Sequence, residues 1–102
     1  MTCWFVSRHP GALQWMRQHG PAYDQHVPHL DPAQVQPGDA VIGTLPVNLA
    51  AQVCARGAAY WHLALGVPAQ SRGRELSADE LLALGATLQR FNVQSHKFKP
   101  AP

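Results

Sequence analysis

The stretch that most constrains this chain runs from Ala40 to Leu65, AVIGTLPVNLAAQVCARGAAYWHLAL. An apolar run stops at Gly43-Thr44, a small-residue segment with helical spacing follows, and AYWHLAL resumes as an apolar, aromatic run. Strands that lack polar alternation are covered on both faces, since a half-exposed strand shows a polar residue at every second position. Two such strands joined through a helix-length segment lie parallel, and the crossover between them turns right-handed. The segment therefore predicts an α/β domain with a mainly parallel sheet and helices on both faces.

The rest of the chain continues the alternation. CWFVS, Cys3 to Ser7, predicts a first strand of aromatic and β-branched residues. Pro10 is placed to open a helix with Leu13, Trp15 and Met16 on its apolar side, and Gly20-Pro21 ends it. YDQHVPHL predicts a second strand bent at Pro28, and DPAQVQPGD a turn-rich link. Ala40–Thr44 is the third strand, a helix runs from about Pro46 to Gly57, and Ala59–Leu65 is the fourth strand. After the loop GVPAQSRGREL, Ser77 and Glu80 form a capping box, and Leu81, Leu84, Leu88 and Phe91 continue at helical spacing. A short last strand is expected from Phe91, with the tail from about residue 95 fraying. At 102 residues the chain reads as a single domain, 1–102.

Composition and charge set several function classes aside. No apolar run approaches the roughly 20 residues of a membrane helix. MTCWFVSRHP lacks a basic region followed by a long apolar one, so no secretory signal is expected and the compartment is cytoplasmic. Cys3 and Cys54 lie in apolar segments without a basic neighbour and read as buried free thiols. The net charge of +2 divides into −1 over residues 1–51 and +3 over residues 52–102. That suits a small anionic ligand and not a long nucleic acid, which needs many phosphate contacts. Scarce charge also points weakly to an oligomer, with Asn48, Gln52 and Arg56 forming a polar helical stripe for a second copy.

Ligands of parallel sheets bind beyond the carboxyl ends of the strands. Two such ends carry donors here, Ser7-Arg8-His9 after the first strand and Gly43-Thr44-Leu45-Pro46 with Asn48 after the third. Thr44 is expected to donate to an anion, Gly43 to let it approach the backbone, and the helix start to add positive potential. Pro46 fixes the first turn. The competing reading makes Thr44 and Asn48 plain helix caps. Arg72 and Arg74, in SRGRE, read either as a solvated loop or as a phosphate-gripping lid. His26, His29 and Asp31 are loosely spaced for a metal, because strand positions three apart face opposite ways; no metal and no cofactor is expected. His62, within an apolar strand, reads as a hydrogen-bonded core histidine. Neither a Walker A loop nor a GxGxxG fingerprint is present.

The segments WFVSRHPGALQWM, HLDP, QPGDAVIGTLPVNLAAQVCARGA and RGRELSADEL resemble the small Csx-type accessory proteins of type III CRISPR systems. VSRHPGA and GTLPVNLAA are the specific signatures, and the likeness spans Cys3 to about Val93. The resemblance implies a CARF-like, Rossmann-type ring nuclease, acting as a homodimer that binds cyclic tetra-adenylate and cuts it to end an antiviral signal. A two-fold dimer offers each patch twice to a symmetric ring.

Under that reading the ribose 2′-hydroxyl of the ligand attacks without a metal and leaves a 2′,3′-cyclic phosphate. The protein positions and stabilises. Ser7, Thr44 and backbone amides near residues 44–48 would hold phosphate. Arg8, with Arg72 or Arg74 as second choice, would neutralise charge, His9 would transfer a proton, and Asn48 would orient a base or ribose. The alternatives are a module that sequesters the ring uncut, a metal-dependent phosphodiesterase using His26, His29 and Asp31, and a scaffold without ligand.

Overall fold

The structure, a computed structural model, describes residues 1–64 and 85–100. Its elements are β1 (Cys3–Val6), α1 (Pro10–His19), β2 (Gln25–Val27), a 3-10 turn (Pro32–Gln34), β3 (Ala40–Gly43), α2 (Val47–Ala55), β4 (Ala59–Ala64) and β5 (Thr87–Phe91). The five strands form one sheet in the order β2-β1-β3-β4-β5. The first four are parallel to their neighbours, and β5 is antiparallel to β4. Among the described residues no helix is long and apolar enough to cross a membrane.

Unalternating strands find cover on both sides, as the sequence predicts. Phe5, Ile42 and Leu63 pack with Ala12, Trp15 and Met16 of α1 on one face. Val6, Val41 and Tyr60 pack with Ala50 and Val53 of α2 on the other, together with Leu30 and Val35. Each large apolar side chain so buried contributes about 1.5–3 kcal/mol, and the two layers hold the ends of β1 and β3 in fixed relation. α1 begins at Pro10 with His9 as its cap, and Arg17 and His19 complement its carboxyl end.

At the amino-terminal edge of the sheet, buried Asp39 fixes β1 against the turn that enters β3. Its Oδ1 accepts from the Thr2 amide at 2.8 Å, and its Oδ2 from the Gln36 amide at 3.0 Å and Trp4 Nε1 at 3.2 Å. These donors, Gln36 and Thr2 first, hold its carboxyl below the usual carboxylate range against the opposing effect of burial.

The C-terminal part departs from the sequence reading. Leu88 and Phe91 do not continue a helix; they belong to β5, which ends where the last strand was expected to begin. Their spacing of three places them on opposite faces of a sheet that is apolar on both. Leu88 packs with the α1 cluster, and Phe91 lies edge-on to His62 at 5.8 Å. The capping box at Ser77 lies outside the described residues, as do Arg72 and Arg74. The polar stripe on α2 is not wholly available to a partner. Arg56 donates to the carbonyls of Val35 at 2.7 Å and Ala33 at 3.2 Å and so ties α2 to the 3-10 turn. Both cysteines are free thiols, half-buried instead of buried. Burial, then Asp24, pushes the Cys3 thiol up.

Candidate functional site

The chain reverses direction across the sheet between β1 and β3. From β1 the crossover through α1 leads outward to β2, and from β3 the crossover through α2 leads the other way to β4. The loops after β1 and β3 therefore diverge, and a crevice opens between them. Register sharpens the geometry, because Val27, Val6, Gly43 and His62 stand in one row across four strands. The residues that follow this row form the rim.

A cleft of about 650 Å³ occupies the crevice. Ser7, Arg8 and His9 line it from the β1–α1 turn, and Gly43, Thr44, Leu45 and Pro46 from the β3–α2 turn. The structure thus brings both predicted turns to one place. Asn48 does not line the cleft; it is exposed in the first turn of α2. Pro28 and His29 add a third wall from the loop after β2. The sequence suggests His29 only as a metal ligand, although its position just past a parallel strand already places it on this rim. Among the described residues no three His, Cys, Asp or Glu side chains come together as a metal-binding group. Asp31 instead caps the 3-10 turn through the Ala33 amide at 3.0 Å, and His26 Nε2 lies 2.8 Å from the Ser7 carbonyl.

Several groups expected to grip a ligand are engaged by the protein itself. The Thr44 hydroxyl donates to the Leu63 carbonyl at 2.8 Å, so toward a ligand it offers lone pairs, not its hydrogen. Ser7 Oγ accepts from the His9 amide at 3.0 Å. His9 Nδ1 accepts from the Ala12 amide at 3.2 Å. An accepting Nδ1 carries no hydrogen, so the neutral ring bears its proton on Nε2. His9 is therefore a helix cap whose neutral ring carries a hydrogen, and no lone pair, at Nε2. Neither Thr44 nor Asn48 caps α2: the cap residue is Pro46, and no side chain bonds the first turn. That turn leaves its leading amides to solvent or a ligand.

Gly43 is explained by packing more than by ligand approach. A Cβ there would meet the Val6 carbonyl oxygen at 2.7 Å. Only a residue without a side chain lets β1 and β3 pair so tightly at the rim.

Tyr60 escapes a sequence reading because it looks like one more aromatic strand residue. Its phenol oxygen accepts from the Leu45 amide at 2.9 Å and donates to the Gly43 carbonyl at 3.2 Å. It also lies 2.6 Å from His62 Nδ1. Tyr60 thus clasps both sides of Thr44 from behind, and burial raises its pKa, which keeps the phenol hydrogen in place.

A sequence-family model described as "Putative CRISPR-associated protein (Cas_VVA1548)" matches residues 4–94, which include both turns of the cleft. No curated protein and no solved structure matches the chain.

Proposed function

The chain belongs to this CRISPR-associated family, and from that premise we propose that it is a ring nuclease that binds and cleaves cyclic tetra-adenylate to switch off type III CRISPR signalling. The observation that carries the reading is the cleft at the β1/β3 crevice, where Arg8, His9 and His29 meet the turn leading into α2. A cationic side chain, two imidazoles and uncapped helix amides are suited to phosphodiester oxygens. Two copies facing each other would enclose a symmetric ring.

In this mechanism the 2′-oxygen attacks the adjacent phosphorus, the bond from phosphorus to the 5′-oxygen breaks, and a 2′,3′-cyclic phosphate remains. The hydroxyl proton passes to a base or to water, and the leaving 5′-oxygen takes up a proton. His9 hydrogen-bonds the leaving oxygen through Nε2–H, and that oxygen takes its proton from water. Arg8 neutralises charge on the non-bridging oxygens. The amides opening α2 and the Ser7 hydroxyl hydrogen hold phosphate, and the lone pairs of Thr44 accept from ribose hydroxyls. The protein acts in the cytoplasm, and no metal takes part.

Incubating the protein with labelled cyclic tetra-adenylate in EDTA and separating the products tests this. Linear fragments ending in 2′,3′-cyclic phosphate are expected. Intact ligand held stoichiometrically would replace the proposal with sequestration, and cleavage abolished by EDTA would replace it with metal-dependent hydrolysis.

A further inference from the structure

A second concavity lies against the cleft. It is a groove of about 230 Å³ lined by Leu45, Val47 and Ala50 from the β3–α2 side, Tyr60 and His62 from β4, and Phe91 and Val93 from the C-terminal side. Leu45 lines both concavities, so the turn that Tyr60 clasps is the ridge between them. The groove is apolar apart from its one histidine and the phenol. Val47 is 74% exposed and Phe91 43% exposed at its edges. Cys54 anchors the far side, donating to the Phe91 carbonyl at 3.8 Å and accepting from the Val93 amide at 3.4 Å.

Hydrogen placement gives the groove a direction. Tyr60 has one hydrogen, and the Gly43 carbonyl can only accept it. With the phenol hydrogen on the Gly43 carbonyl, the Tyr60 oxygen accepts across the 2.6 Å contact, and His62 Nδ1 is assigned as its donor. The imidazole then carries a lone pair on Nε2. Phe91 and Tyr60 hold the ring edge-on from two sides, each at 5.8 Å.

We propose that this groove is a purine subsite that takes the adenine of a nucleotide whose phosphate lies in the cleft across Leu45. The proposal rests on the reading of the cleft given above and adds a base-recognition site to it. Aromatic and aliphatic walls suit a base, whose flat face gains from stacking whatever its sequence context. The lone pair on His62 Nε2 accepts from the exocyclic amino group of adenine. Hypoxanthine presents a carbonyl oxygen at that position, which opposes the same lone pair. His62 is thus the specificity residue and Phe91 the stacking residue.

The test is an NMR titration of the full chain with adenosine 5′-monophosphate, inosine 5′-monophosphate and, separately, cyclic tetra-adenylate. The His62 and Phe91 ring signals are assigned with the His62→Gln and Phe91→Ala variants. The adenine nucleotide is expected to shift both ring signals and to bind about 10-fold more tightly than the inosine nucleotide, a factor worth about 1.4 kcal/mol. Phe91→Ala should weaken the adenine nucleotide about 10-fold, and His62→Gln should erase most of the preference. Equal binding of the two mononucleotides, or ring signals unmoved by either, would overturn the subsite. Cyclic tetra-adenylate shifting only cleft residues would overturn the subsite and leave the ring-nuclease reading standing. Mononucleotide binding in the groove with no response to the ring would do the reverse.

Discussion

Gly43→Ala puts one methyl group at the point where the two functional turns separate. The new Cβ would lie 2.7 Å from the Val6 carbonyl oxygen and 3.4 Å from Val6 Cβ. An ordinary carbon-to-oxygen contact is about 3.3 Å, so β1 and β3 must part by about 0.6 Å at their last pair, Val6 and Gly43. The obstructing atom is backbone in a central strand and cannot rotate away. Overpacking of this kind costs about 1–3 kcal/mol, and the lower entropy of the unfolded alanine chain returns about 0.4–1 kcal/mol. A net loss of about 1–2 kcal/mol lowers the melting temperature by roughly 5–15 °C in a chain of this size. The same displacement widens the cleft and moves Leu45 off Tyr60, so binding of cyclic tetra-adenylate should fall by about 10-fold or more. Gly38→Ala is the control. Gly38 has φ +87°, and a methyl group there would meet nothing within 4 Å, so alanine costs about 1–2 kcal/mol of backbone strain alone. Melting followed by circular dichroism and calorimetric titration of the ring should show two comparably destabilised variants, of which only Gly43→Ala loses ligand. Equal retention of binding by both would refute the argument that tight β1/β3 pairing shapes the site.

Arg8→Ala should leave the melting temperature within about 2 °C, because the side chain is exposed, while single-turnover cleavage falls by about 100-fold or more. His9→Ala loses the cap as well as the donor and should destabilise by about 1 kcal/mol, whereas His9→Asn keeps a capping oxygen and stability. Both should lose cleavage more than binding; full turnover by His9→Asn would reduce His9 to a cap. Asp39→Asn turns one end of the side chain into a donor facing donors already there and should cost about 2–4 kcal/mol, read by chemical denaturation. Because the folded carboxyl titrates below its ordinary value of about 3.9, its contribution is complete above that value and declines as pH falls through the lowered one. The wild-type stability profile should therefore steepen below about pH 4, and the Asp39→Asn profile should lack that component.

The architecture was legible where one physical demand acted alone. Strands without alternation required cover on both faces, and AVIG, AYWHLA and CWFV carried that signal openly. Thr87–Phe91 carried two demands at once. Leu88 answers to the α1 layer and Phe91 to the α2 side, and a spacing of three residues serves that purpose in a strand as well as it serves one face of a helix. The two turns of the cleft were legible because parallel order fixes which strand ends share a rim. What the sequence could not supply was the state of each polar group. Thr44, Ser7 and His9 were visible as donors or acceptors, yet their partners, Leu63, the His9 amide and the Ala12 amide, are products of packing.

Those internal bonds change how the site must work. A loop whose polar groups waited for a ligand would lose conformational entropy on binding. Here Leu45 is held by Tyr60, Thr44 by Leu63, and Ser7 and His9 by the start of α1. The rim is set before any ligand arrives, and binding energy need not be diverted into ordering it. That is the arrangement expected when the nucleophile belongs to the substrate and the protein supplies geometry, since the alignment of a 2′-oxygen with its leaving group tolerates little displacement. It also explains the placement of a buried phenol behind that turn. Tyr60 is the only described side chain that bonds both Gly43 and Leu45, and so it sets the one turn that borders both the cleft and the apolar groove beside it.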